Sequence, residues 1–231
     1  MDKKIAIVQS NYIPWKGYFD LINSVDEFIL FDDMQYTRRD WRNRNKIKTS
    51  KGTEWLTIPV NVKGKYYQKI NETTVASDDW AMEHWKTLTH NYSKSKYFLD
   101  IKDMFWQLYE IASQQHYLSK VNHLFITQIC DFLGIKTQIS WSSNYEIVDG
   151  KNERLISLCK QAGGTHYISG PSAKDYMDLN QFTQARLKVT FFDYSGYPEY
   201  DQRFPPFDHA VSILDLLFNE GDQASKFMKS F

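Results

Sequence analysis

The chain of 231 residues holds only two cysteines, Cys130 and Cys159, each set in an apolar helical pattern. Two thiols build neither a disulfide framework nor a zinc knuckle, so both are expected to be buried and reduced. No window approaches the ~18 consecutive apolar residues of a membrane span. Asp2, Lys3 and Lys4 lead straight into a strand instead of a signal-peptide core, so a cytoplasmic chain with no membrane insertion is expected. Charge of one sign is also missing: 28 Lys and Arg balance 28 Asp and Glu, which leaves no global field for nucleic acid. Glycine is scarce at 10 residues, and no Gly-x-Ser-x-Gly elbow, P-loop or Gly-x-Gly-x-x-Gly fingerprint occurs, which removes the usual hydrolase, P-loop and dinucleotide readings. The six histidines have no metal-binding spacing; His84 and His90 do not share a helix face, and no metal site is expected.

Aromatic residues are plentiful, with 15 Phe, 15 Tyr and 7 Trp. Many stand among polar neighbours, where they either fill a core or offer a face to a sugar or base.

The hydrophobic period alternates between strand and helix. Ile5 to Val8 reads as a short buried strand ended at Ser10-Asn11, Tyr18 to Val25 as a helix after Pro14 and Gly17, and Glu27 to Phe31 as a second strand. Trp55 to Val60 is a further strand candidate. From Trp80 to Leu133 the period is helical throughout, with the last helix stopping at Gly134. Then follow a strand at Thr137 to Trp141, a helix at Glu153 to Ala162, strands at His166 to Ser169 and Val189 to Tyr194, and a helix at Val211 to Asn219. Strands alternating with helices predict an α/β domain over 1–231: a mostly parallel, Rossmann-like sheet flanked by helices, with a helical insertion around residues 80–133.

In such sheets ligands sit beyond the carboxyl ends of the strands. After the first strand come Gln9, Asn11, Trp15 and Lys16; after the second, Asp32, Asp33, Gln35 and Tyr36. A basic run follows, in which Arg38, Arg39, Arg42, Arg44, Lys46, Lys48 and Lys51 face a single acid, Asp40. Arginine forks hold phosphate and carboxylate, and interleaving with Trp41, Asn43 and Asn45 marks a substrate site rather than a solvated face. The plainer reading is a surface segment paired with Asp32 and Asp33. Those two carboxylates point to opposite faces if the backbone is extended. One of them is the candidate general base or amine binder, the alternative being a strand-end turn with an arginine partner. Ser169-Gly170-Pro171-Ser172, running into a helix near Ala173 with Lys174 beside it, offers hydroxyls and backbone donors for a second anion; the alternative is a structural strand-to-helix turn with Ser172 as its N-cap. Lys151 and Arg154 stand near the same strand ends. His84 is the best ligand-facing imidazole, though a core histidine would look the same.

The segments Gln9 to Asp20 (QSNYIPWKGYFD), Phe31 to Ile47 (FDDMQYTRRDWRNRNKI), Trp55 to Val60 (WLTIPV), Tyr167 to Tyr176 (YISGPSAKDY) and Val211 to Phe218 (VSILDLLF) together resemble the WbqC-like family over essentially the whole chain. That resemblance implies a place in bacterial surface-polysaccharide (O-antigen) clusters. A second, weaker resemblance joins the opening strand, Pro-x-x-Gly turn and helix to the nucleotidylyltransferase and pantothenate-synthetase superfamily. The histidines of that superfamily's signature are replaced here by Pro14-Trp15-Lys16-Gly17-Tyr18, which leaves Lys16 as the positive charge. Combined, these readings predict acyl or aminoacyl transfer, or ligation, onto a nucleotide-linked amino sugar. Asp32, Asp33, Lys16 and His84 are the catalytic candidates, an anionic small molecule the partner, and ATP with magnesium or an acyl donor the second reactant. The alternative is a glycan or nucleotide-sugar binding protein without catalysis.

Overall fold

Strand β1 (Lys4–Val8) occupies the middle of a five-stranded sheet in the computed structural model, which describes residues 2–231. The chain continues through α1 (Lys16–Asn23), β2 (Glu27–Leu30), the hairpin β3 (Arg44–Thr49) and β4 (Gly52–Thr57), and the helices α2 (Trp80–Tyr92), α3 (Phe98–Ser113) and α4 (Leu118–Leu133). It then forms β5 (Gln138–Trp141), α5 (Lys151–Gln161), β6 (His166–Ser169), α6 (Leu179–Gln184), β7 (Lys188–Phe191) and α7 (Ile213–Glu220). The main sheet runs β5-β2-β1-β6-β7 with every pairing parallel. Counted within that sheet, the order is 3-2-1-4-5, the doubly wound arrangement in which the chain reverses its direction of travel beside β1.

The strands are short, and the central ones, β1, β2 and β6, are buried on both faces, as a sheet covered by helices requires. Alternate residues feed two separate cores. Ala6, Phe28, Leu30 and Ile168 face a large core shared with α1 to α4 and α7. Ile5, Ile7, Ile29 and Tyr167 face a smaller one under α5 and α6. Cys130 and Cys159 are buried free thiols, one in each core, and burial pushes both up to about 12, so neither is a thiolate at neutral pH. The helices of 80–133 pack into the larger core. Gly134 closes α4 at φ +73°, the left-handed cap that glycine accepts without strain. Among the described residues no helix is long and apolar enough to cross a membrane.

Three expectations are corrected. The strand read at residues 55–60 ends at Thr57, and it belongs to an antiparallel hairpin with β3 outside the main sheet. Half of the basic run is itself that partner strand. No α-helix starts at Ala173; Pro171–Asp175 is a 3₁₀ turn whose N-cap, Gly170, has no side chain to offer, so Ser172 is not a cap.

Gly164 lies where α5 returns to the sheet. A Cβ there would stand 2.4 Å from Cγ1 of buried Ile5 and 3.0 Å from the Cys159 carbonyl oxygen. Gly164→Ala is therefore expected to cost about 1–3 kcal/mol through overpacking at the central strand, read as a lower melting temperature. An unchanged melt would mean that β1 has room to shift.

Candidate functional site

The reversal point beside β1 opens into a cleft of about 530 Å³. Its floor and walls come from strand ends: Gln9 after β1, Phe31 and Met34 after β2, Ser169 and Gly170 at β6, with Ser172 on the turn that follows. Lys151 and Arg154, in the first turn of α5, bring positive charge to one side, and Arg42 to the other. Three cations and two serine hydroxyls around one cavity at the carboxyl edge form a receptor for an anion such as a phosphate.

Arg42 arrives from the loop before β3, held where it is by the two residues that β1 delivers. Its Nη1 donates to Asn11 Oδ1 and its Nη2 to Gln9 Oε1. Asp40 lies 3.7 Å from Nη2. The Arg42 carbonyl accepts from Asn122 Nδ2 of α4 at 2.9 Å, and that same amide donates to Ser10 Oγ at 3.0 Å. Among the described residues its Nε is buried without a partner, so part of the donor capacity of this guanidinium is unused.

Asp32 is 1% exposed. One oxygen accepts from the Ser10 backbone N–H at 2.8 Å, while Oδ2 has no partner among the described residues. Burial raises this carboxyl to about 6, against the pull of Ser10 and Arg42. It turns toward the exit of β1 and is not part of the cleft lining. Asp33 diverges from it, as alternation predicts. Its oxygens accept from Asn71 Nδ2 at 3.1 Å and Ser142 Oγ at 2.5 Å, with Lys69 at 4.0 Å, so its place is structural.

The structure disperses several other candidates. His84 is enclosed in the helical core, its Nδ1 2.9 Å from the Tyr12 hydroxyl, which in turn meets the Tyr109 hydroxyl; burial lowers its imidazole to about 4. Lys16, at the start of α1, lies outside the cleft lining, donating to the Pro198 carbonyl at 2.9 Å near the Tyr197 and Tyr200 rings. Burial lowers it to about 8. Asn43 donates to the Ile58 carbonyl. Asn45 donates to the carbonyls of Tyr12 and Ile13, and Ile13, at φ +37°, is a strained conformation for a β-branched residue. Gln35 donates to Tyr66 O, and the Tyr36 amide to Gln68 O. Arg38 donates to Val62 O and Arg44 to Arg39 O, Arg44 lying 4.0 Å above the Trp55 ring. Lys174 lies over Phe191, outside the cleft lining. Trp15, Trp41, Asn11 and Asn45 line a separate pocket.

Tyr176 and Tyr194 line the cleft without having been singled out. Tyr194 follows β7, so the strand-end rule applied to the last strand points to it. Among the described residues no group of three His, Cys, Asp or Glu side chains could hold a metal ion.

No solved structure matches the chain significantly. The chain is 53% identical over 227 residues, 98% of each chain, to "Uncharacterized protein Rv1507c" of Mycobacterium tuberculosis (strain ATCC 25618 / H37Rv). The family described as "WbqC-like protein family" matches residues 9–227, a span that includes Gln9 and Asn11, which grip Arg42, and the Ser-Gly-Pro-Ser turn opposite. The chain belongs to the WbqC-like protein family.

Proposed function

We propose that the protein is an enzyme of bacterial surface-polysaccharide (O-antigen) biosynthesis that transfers an acyl or aminoacyl group onto a nucleotide-linked amino sugar. The observation that carries this reading is the cleft at the reversal point of a 3-2-1-4-5 parallel sheet, lined by Arg42, Lys151, Arg154, Ser169 and Ser172. Diphosphate suits that lining. Central placement of β1 also accords with the nucleotidylyltransferase resemblance of the opening segment, though Lys16 does not stand in for the missing histidines.

In the reaction the sugar amine attacks the acyl carbon of an activated donor. A C–N bond forms, the bond to the donor's phosphate or thiolate breaks, and the amine proton must leave. Asp32, one residue beyond Phe31 of the cleft wall, is the base assigned to that proton: it stands outside the cleft lining, so the transfer runs through one bridging water to Oδ2, which no described residue engages, and burial raises the carboxyl to about 6. Arg42 and the hydroxyls of Ser169 and Ser172 hold phosphate and position the sugar. Where ATP activates the donor, the same cations suit its phosphates.

Arg42→Met keeps most of the side-chain volume and removes every donor. Affinity for a nucleotide-sugar is expected to fall by roughly 10- to 100-fold, the loss of one or two charge-assisted hydrogen bonds. The melt should fall as well, since Gln9 and Asn11 lose their partner. The reading is tested by a thermal-shift screen of nucleotide-sugars and nucleotides, followed by mass analysis of the sugar after incubation with acyl donors. Stabilisation without any gain of acyl mass would favour a binding protein; no stabilisation at all would remove the anion cleft from consideration.

A further inference from the structure

Arg42 and Asn11 form part of a wall with a cavity on each side. Arg42 lines the cleft, and Asn11 lines a second pocket of about 290 Å³ whose other main contributors are Pro14, Trp15, Trp41, His209 and Ala210. A second contact crosses the same wall: the Trp15 ring is 5.3 Å from that of Tyr194, which lines the cleft. The two cavities are thus neighbours.

Their chemistry differs. The cleft carries three fixed cations, whereas the second pocket carries none; His209 is its only titratable group, and desolvation together with nearby Lys16 keeps that imidazole below its usual range and neutral at pH 7. Two indoles form its sides. Trp41 is 41% exposed and is fixed by its carbonyl, which accepts from the Tyr12 amide at 3.0 Å. Trp15 lies flat over Gly17, where a Cβ would come within 2.3 Å of the ring. Asn45 is fully occupied in holding the turn. Asn11 differs: its oxygen accepts from Arg42.

Aromatic faces that meet C–H groups, with a few amide and imidazole groups at the edge to meet hydroxyls, suit a sugar ring and suit a free phosphate badly. We propose that the pocket between Trp15 and Trp41 is a sugar-ring subsite, and that it forms one bipartite site with the cleft across the Asn11–Arg42 contact. The phosphates bind in the cleft and the pyranose lies against the indoles. This rests on the reading of the cleft as a nucleotide-sugar site and deepens it. Charge segregation between the cavities sorts the two ends of the ligand: an anionic end is repelled by nothing in the cleft and gains nothing in the pocket. Arg42, gripped by Asn11, sits at the junction where phosphate meets sugar.

The test is calorimetric titration with four pairs of probes, UDP-N-acetylglucosamine and UDP, dTDP-glucose and dTDP, GDP-mannose and GDP, and CMP-N-acetylneuraminate and CMP. At least one nucleotide-sugar is expected to bind roughly tenfold tighter than its own nucleotide. That advantage should vanish in Trp41→Ala, which removes a platform, and in Ala210→Trp, which fills the pocket at an exposed position. The nucleotide's own Kd should stay within about twofold in both variants. If the nucleotides bind but no sugar adds affinity, or if the advantage survives both substitutions, the sugar subsite is overturned while the anion cleft stands. If no probe binds, nucleotides included, the reading of the cleft falls and the subsite with it.

Discussion

Asp32→Asn is expected to slow turnover by about 10²- to 10⁴-fold, the usual range for loss of a general base, and at the same time to raise the melting temperature above pH 6. Burial places this carboxyl at about 6 in the folded protein, above its ordinary 3.8, so the folded state holds the proton more tightly than the unfolded chain does. Its contribution to stability is complete below about pH 4 and is lost as pH climbs through 6; at neutral pH the ionised form costs the fold about 3 kcal/mol. Asparagine carries no such cost. Melts of variant and parent should converge at low pH and separate above pH 6, by ~6–12 °C for a chain of this size. The parent's rate should rise through the same interval, and the variant's residual rate should lose that limb. Equal turnover in the two proteins would make Asp32 a structural carboxylate, and a variant less stable at every pH would show that its hydrogen bonds outweigh its desolvation.

Asp215→Ala is expected to have the largest effect on stability. The Asp215 carboxylate is fully buried in α7 and accepts from Tyr92 at 2.7 Å, Tyr200 at 2.5 Å and Gln202 at 2.8 Å. Tyr92 also accepts from the Lys48 amide of β3 at 2.9 Å. Removing the carboxylate leaves two hydroxyls without an acceptor in the core, each costing about 1–3 kcal/mol, while the Gln202 amide keeps the Asp208 carbonyl at 3.1 Å. Burial raises this carboxyl too, which offsets part of the loss, and a net cost of about 3–5 kcal/mol remains. The melting temperature should fall by ~10 °C or more. Asp215→Asn, which keeps one acceptor, should fall by less; if both variants melt with the parent, the network is not what ties α2, β3 and α7 together.

The sheet was legible because its strands are short apolar runs between helical periods, and the ends of β1 and β6 could be chosen as site elements on that ground alone. Gln9, Arg42, Ser169, Gly170 and Ser172 do meet in one cleft. What hid β3 was charge. Arg44, Lys46 and Lys48 alternate with Asn45, Ile47 and Thr49 at the strand period of two, yet only Ile47 registers as apolar. Lys16 and His84 were misplaced for a different reason. A helix's own sequence does not say what its polar residues meet, and Lys16 is enclosed by rings from residues 197–207, remote in the chain. Asn43 and Asn45 look like ligand contacts in a basic run, but each turns its Nδ2 to backbone carbonyls, Asn45 holding the strained Ile13. Spacing cannot reveal that use, because the partners lie in other segments.

The two cores on either face of the sheet both reach the cleft. Leu21 and Met34 belong to one, and Leu155, Tyr167 and Ala173 to the other. A molecule lying across the strand ends would therefore act as a strut between two halves that otherwise share little beyond the sheet. Amide exchange should register this as added protection in α1 and in α5 together, on opposite faces, from a single bound ligand.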